Sequence, residues 1–133
     1  MMEVDADAMQ KLIKEFMGKK KFAVIGATDN TEKYGNRIFK NLTGRGYEVY
    51  PVNPNLKELG GIKCYPTIND VPVKVDVVDF VVPPKVTESI LKDCKKLGLE
   101  HIWLQPGSES DAAVAFCHDN NFQVVYGTCV MLN

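Results

Sequence analysis

Hydrophobic positions along the chain alternate between two periods. Ala8, Met9, Leu12, Ile13, Phe16 and Met17 form a helical stripe over 5–17, and Gly18 ends it. Phe22 to Ile25 is a continuous apolar run, the pattern of a central strand covered on both faces. Helical spacing returns at Ile38, Phe39 and Leu42, predicting a helix over 36–43 that Gly44 and Gly46 close. A second strand is expected over 47–52, halted by Asn53-Pro54-Asn55. Residues 56–61 read as a turn or a short helical piece, and 62–65 as a brief extended segment. The third main strand, over 76–82, is cut by Pro83-Pro84. Ile90, Leu91, Cys94 and Leu97 predict a helix over 87–97 with Gly98 as its C-cap. A fourth strand over 101–104 ends at Gln105-Pro106-Gly107. A helix over 110–120 is expected to bury Ala113, Val114, Phe116 and Cys117, and a strand over 122–126 comes last.

Strands that alternate with helices of about three turns imply a parallel sheet joined by right-handed crossovers. The expected fold is α/β: a single doubly wound domain over 1–133, with five parallel strands and helices on both faces. An N-terminal helix occupies 1–20 and the core 21–130. In such folds ligands bind beyond the carboxyl ends of the strands, where strand order reverses. Attention therefore falls on the loops after Ile25, Val52, Val82 and Leu104.

Composition narrows the function classes. A chain of 133 residues suits one domain, and 45% hydrophobic with 25% charged residues is an ordinary globular balance. A formal net charge of −1 with no long basic run argues against a nucleic-acid partner. Lys19, Lys20 and Lys21 read as a solvated helix end. The cysteines, Cys64, Cys94, Cys117 and Cys129, form no C-x-x-C pair, which argues against a zinc site or a thioredoxin-like motif. Charges throughout the first 21 residues argue against a signal peptide, and no apolar run is long enough to span a membrane. The expected setting is a reducing cytoplasm with free thiols.

The loop after Ile25 carries the strongest chemical signal. It runs Gly26-Ala27-Thr28 and then Lys33-Tyr34-Gly35-Asn36, into the start of a helix. Backbone N–H groups and the positive end of a helix dipole there favour a phosphate. Gly26 is expected to let backbone approach the ligand, and Thr28 to donate its hydroxyl to a phosphate oxygen. The loop lacks the dinucleotide fingerprint G-x-G-x-x-G, because Thr28 and Thr31 stand where the second and third glycines belong. Asn53 and Pro54 end the second strand, where a NAD-binding domain usually places an acid for the ribose diol. Pro83 and Pro84 give a stiff apolar wall, and Gln105 and Gly107 offer an amide and a close approach at the same edge. An ordinary turn accounts equally well for each of these three segments. Catalytic signals are poor: His101 and His118 belong to no nucleophile motif, and Asp76 and Asp79 point to opposite faces of a strand. Cys129 follows the last strand with no neighbouring base to activate it, and Trp103 reads as a packed strand residue.

Taken together these segments resemble the CoA-binding domain family. It comprises small stand-alone proteins and the CoA-binding domains of the succinyl-CoA synthetase α-subunit and of ADP-forming acyl-CoA synthetases. The resemblance rests on Ile25-Gly26-Ala27-Thr28-Asp29-Asn30, Lys33-Tyr34-Gly35, Gly46 to Pro54, Tyr65-Pro66, Val75 to Asp79 and Ile102 to Gly107, and covers 21–130. It implies that Gly26, Ala27, Thr28, Tyr34, Gly35 and Asn36 hold the pyrophosphate of coenzyme A, with Lys33 a further phosphate contact. Asn53 and Pro54 would lie by the adenosine, and Val82, Pro83 and Pro84 would line the groove. Val81-Val82-Pro83-Pro84 departs from many stand-alone members, which carry charges there, and is closer to the synthetase pattern.

The expected function is non-catalytic binding of coenzyme A or acyl-CoA by a Rossmann-like domain, as a carrier, sensor or regulatory module. One alternative is a NAD(P)-binding redox sensor or oxidoreductase. Another is a subunit of a split ADP-forming acyl-CoA synthetase, whose partner protein would supply the phosphohistidine and nucleotide-grasp domains that 133 residues do not hold.

Overall fold

The computed structural model describes residues 6–133. In chain order the elements are α1 (Ala6–Met17), β1 (Lys21–Ile25), α2 (Tyr34–Gly44), β2 (Glu48–Val52), β3 (Glu58–Leu59), β4 (Ile62–Lys63), β5 (Val77–Phe80), α3 (Pro84–Leu97), β6 (His101–Leu104), α4 (Asp111–Asp119) and β7 (Gln123–Tyr126). Single 3-10 turns lie at Ile68–Asp70 and Val130–Leu132. Asp5, the expected first residue of α1, lies outside the described residues.

Five strands form one parallel sheet in the order β2-β1-β5-β6-β7. The period-2 alternation of each strand divides its side chains between two apolar layers. Ala23, Ile25, Val78, Phe80, Ile102 and Leu104 pack with Leu91 and Cys94 of α3 and with Ala113 and Cys117 of α4. Phe22, Val24, Val77, Trp103 and Val125 pack with Ile13 and Phe16 of α1 and with Ile38, Phe39 and Leu42 of α2. Fully burying one such Phe, Ile or Leu contributes about 1.5–3 kcal/mol. The expected doubly wound sheet, with helices on both faces, is the architecture found.

Two segments differ from expectation. Over 58–63 the turn alternative holds and the helical piece does not: the segment is a small antiparallel hairpin, β3–β4, whose second strand opens the expected extended stretch. Its two-residue turn, Gly60-Gly61, has φ of 56° and 80°, the doubly left-handed geometry that suits a tight hairpin and that glycine adopts without strain. Helix α3 begins at Pro84 instead of residue 87, because Pro83 serves as its N-cap and Pro84 is a good first helical residue. Among the described residues, no helix is long and apolar enough to cross a membrane.

Strand order reverses at β1. The chain leaves β1 for β2 on one side and returns to β5 on the other, so the loops after Ile25 and Phe80 part over the carboxyl edge of the sheet. That divergence opens the crevice in which doubly wound folds bind ligands.

Candidate functional site

The loop after β1 is built on two glycines that meet protein rather than open space. Gly26 has φ of 94°, and a Cβ there would lie 2.2 Å from the carbonyl oxygen of Val81. A Cβ at Gly35 would lie 2.1 Å from the carbonyl oxygen of Gly26. These contacts give glycine at 26 a packing reason: the room its missing side chain provides is taken by the backbone of the neighbouring strand's extension. Gly35 supplies the close helix–strand packing that the third glycine of the dinucleotide fingerprint provides, but nine positions after Gly26 rather than five. The four additional residues lengthen the loop ahead of α2.

Two amides brace that loop from beneath. Asn36 Nδ2 donates to the Thr28 carbonyl at 2.9 Å, and Asn53 Nδ2 donates to the Ala27 carbonyl at 2.9 Å. Asn53 Oδ1 accepts from the Asn55 N–H at 2.8 Å, so both ends of its amide are engaged. Asn36 is buried and Ala27 fully so; both shape the loop from inside. Thr28 Oγ1 accepts from the Asn30 N–H at 3.2 Å and keeps its own proton free to donate. Lys33, exposed, is the N-cap of α2 and makes no side-chain cap. The Asn36 N–H donates to the Lys33 carbonyl at 3.1 Å, so the Tyr34 and Gly35 N–H groups are the ones open to an anion at the positive end of the helix dipole.

Two recesses flank this loop on the carboxyl edge. The first, of about 460 Å³, reaches from Gly26 past Asn53 and Pro54, between Pro66–Ile68 and the Val86, Ile90 and Asp93 side of α3. The second, of about 490 Å³, lies between Tyr34, the Val81–Pro84 segment and Pro106–Ser108. Val82 lines both. The fold thus gathers Gly26, Asn53, Pro54 and Val82 around one recess and Tyr34, Val82, Pro83, Pro84 and Gly107 around the other. Gly107 has φ of 95°, a turn geometry that suits glycine.

Gln105 is placed otherwise. Its side chain is fully buried, with Nε2 donating to Asp79 Oδ1 at 2.6 Å and Oε1 accepting from the Val130 N–H at 3.1 Å. The expected ligand amide is instead an internal link between β5 and the C-terminal turn. Asp79 is fully buried too, and its Oδ2 has no partner among the described residues. Burial pushes the Asp79 carboxyl up to about 7, against a smaller opposing pull from the Gln105 hydrogen bond. The neighbouring Cys129 thiol, with desolvation, raises the Tyr34 phenol above its ordinary value.

Sequence reasoning missed three contributors. Ser108 is buried and its Oγ accepts the Val82 N–H at 3.0 Å, tying the two walls of the second recess together. Ile90 and Asp93 line the first recess, and their helical spacing from Val86 was the legible signal. His101 bonds the Asp76 carbonyl at 3.1 Å through Nδ1 and packs on Phe16, while Trp103 is fully buried as expected of a strand residue. Among the described residues no cluster of His, Cys, Asp or Glu could hold a metal ion. The ionisable groups lining the two recesses are Tyr34 and Asp93.

The family model described as a CoA binding domain matches residues 20–133. The α-subunit of the ADP-forming acetate–CoA ligase II of Pyrococcus furiosus is 36% identical over 88 residues, which are 65% of this chain and 19% of that protein. A conserved hypothetical protein of the same organism superposes with a TM-score of 0.83 at 42% identity, covering 85% of this chain and 97% of its own. The dinucleotide forming acetyl-coenzyme A synthetase 1 of Ca. Korarchaeum cryptofilum, solved with phosphate and ADP, is 34% identical with a TM-score of 0.67. That match covers 79% of this chain and 25% of the synthetase. This chain spans 13% and 12% of the acetate–CoA ligases of Archaeoglobus fulgidus and Methanocaldococcus jannaschii that it matches. The chain belongs to the CoA-binding domain family and is homologous to the CoA-binding region of ADP-forming acetyl-CoA synthetases.

Proposed function

We propose that this protein binds coenzyme A or an acyl-CoA without transforming it, as a carrier, sensor or regulatory module. The observation that carries the reading is the pair of recesses that share Val82, one reaching Gly26 at the beginning of the loop after β1 and the other Tyr34 at the uncapped start of α2. A ligand with a pyrophosphate at its centre and a different group on each arm matches that division. In this reading the pyrophosphate meets the Thr28 hydroxyl and the first N–H groups of α2, with Lys33 as a further contact. The helix terminus contributes about 0.3–1 kcal/mol to such an anion at an exposed site. The adenosine arm enters the first recess beside Asn53 and Pro54. The pantetheine arm follows Val82, Pro83 and Pro84 towards Gly107.

Two features support binding over chemistry. Neither recess is lined by His, Cys, Lys or Glu, so a general acid–base pair has no obvious source there. A nicotinamide cofactor is disfavoured at the tip of β2, where Asn53 replaces the usual acid and its amide is bound into the loop. Isothermal titration with CoA, acetyl-CoA, NAD and NADP tests the proposal. CoA or acetyl-CoA is expected to bind most tightly. Tighter binding of NAD, or no binding of CoA, overturns it.

A second reading has its own support, because one relative is the α-subunit of an acetate–CoA ligase. This protein would then be one subunit of a split synthetase. Co-purification of the native protein with a nucleotide-grasp partner, and ADP-forming ligase activity of the pair, would favour that reading.

A further inference from the structure

The first recess has one charged residue in its wall, and that residue is an acid. Asp93 lines it and makes no hydrogen bond or ion pair to a described residue. Of the other polar side chains in that wall, Asn53 and Thr67 have internal partners, and Asn55 is an exposed neutral amide. The Asn53 amide is held by the Ala27 carbonyl and the Asn55 N–H. Thr67 Oγ1 donates to Asp70 Oδ2 at 2.8 Å and accepts from the Asn69 N–H at 3.2 Å. Asp93 is the strong acceptor left for a ligand.

Its position in the recess says which part of a ligand it meets. Val86, Ile90 and Asp93 follow one another down α3, starting from the end beside Val82 and Gly26. From Val86 to Asp93 the helix rises about 10 Å, a span on the scale of a nucleoside. Ile90, Pro66 and Ile68 give the recess an apolar lining. A flat aromatic base suits such walls, and its far edge then comes to the carboxylate. A carboxylate only accepts hydrogen bonds. It pairs with an exocyclic amino group and repels a carbonyl at the same position.

We propose that Asp93 accepts a hydrogen bond from the exocyclic amino group of the ligand's adenine and so sets specificity for the base. The proposal rests on the CoA-binding reading above. It adds a discrimination that pyrophosphate binding alone would not produce.

The test compares CoA with its deaminated form, in which hypoxanthine replaces adenine, by titration calorimetry on the full chain. Both ligands carry the same phosphates, so any general repulsion by Asp93 cancels in the ratio of their affinities. The wild type is expected to prefer CoA by about 10- to 100-fold, the range for a hydrogen bond to a charged group. Asp93→Ala should bring the ratio near one. Asp93→Asn should do the same, because its amide can serve either base edge. Thermal denaturation of both variants should match the wild type, since Asp93 supports no internal bond. Equal affinity of the wild type for the two ligands overturns the proposal, as does an undiminished preference in either variant; in both cases CoA binding itself stands. Absence of CoA binding by the wild type overturns this proposal together with the reading beneath it.

Discussion

The buried Asp79 makes folding stability fall as pH rises towards neutrality. In the unfolded chain its carboxyl ionises near the ordinary value of 3.8, whereas burial in the folded protein raises it to about 7. Between these values the folded state holds a proton that the unfolded state has released, so each pH unit removes about 1.36 kcal/mol of stability. The contribution is complete below the unfolded value and lost as pH passes through the folded one. The full cost is about 4 kcal/mol, and roughly 2–3 kcal/mol of it falls between about pH 5 and pH 8. Against a typical total of about 5–15 kcal/mol, that loss is readily measured. Cys94 and Cys117, pushed up to about 12 by burial, enter only above the ordinary thiol value of 9.

Asp79→Asn keeps the size of the side chain and an oxygen for Gln105 Nε2, but cannot ionise. Its amide hydrogens would occupy the place of Oδ2, which has no partner, at a cost of about 1–3 kcal/mol that does not vary with pH. Slope, rather than height, is therefore the readout. Urea denaturation of both proteins between about pH 5 and pH 8 should show the wild type losing roughly 2–3 kcal/mol more than the variant. Parallel pH profiles would refute the reasoning, since Asp79 would then ionise alike in both states.

Two other substitutions separate packing from binding at the loop after β1. Gly35→Ala places a Cβ 2.1 Å from the Gly26 carbonyl, and should lower stability by about 1–3 kcal/mol through overpacking. A raised Tm would show that the helix start has room to move. Thr28→Val removes a hydroxyl whose proton is uncommitted in the fold. It should weaken CoA binding by about three- to tenfold with little change in Tm, and unchanged calorimetric affinity would remove Thr28 from the site.

Much of the fold was legible because its signals are local. Apolar runs such as Phe22 to Ile25 can be buried on both faces only inside a sheet, and stripes such as Ile38, Phe39 and Leu42 only on a helix. Glycine and proline then mark the ends through their backbone limits. The same local chemistry drew attention to Gly26, Thr28, Asn53 and Pro83, all of which come to the carboxyl edge of the sheet. The Gly60-Gly61 hairpin was equally local, but its short strands carry too little alternation to be read.

What only the tertiary structure decided is who meets whom across long separations. That Gly26 and Gly35 each leave room for a backbone carbonyl from another part of the chain could not be read from the loop itself. Gln105 looked like a ligand amide until the sheet brought it to Asp79, 26 residues earlier. Asp93 showed only a helical spacing from Val86, until the docking of α3 turned that face into the recess beyond Gly26. Periodicity fixes which way a side chain faces relative to its own element, and so the sequence alone determined the layers and the edge that holds the site. The partner on the other side depends on strand order and helix docking, which are set by burial of the whole core, and these decided the roles of Gly35, Gln105 and Asp93.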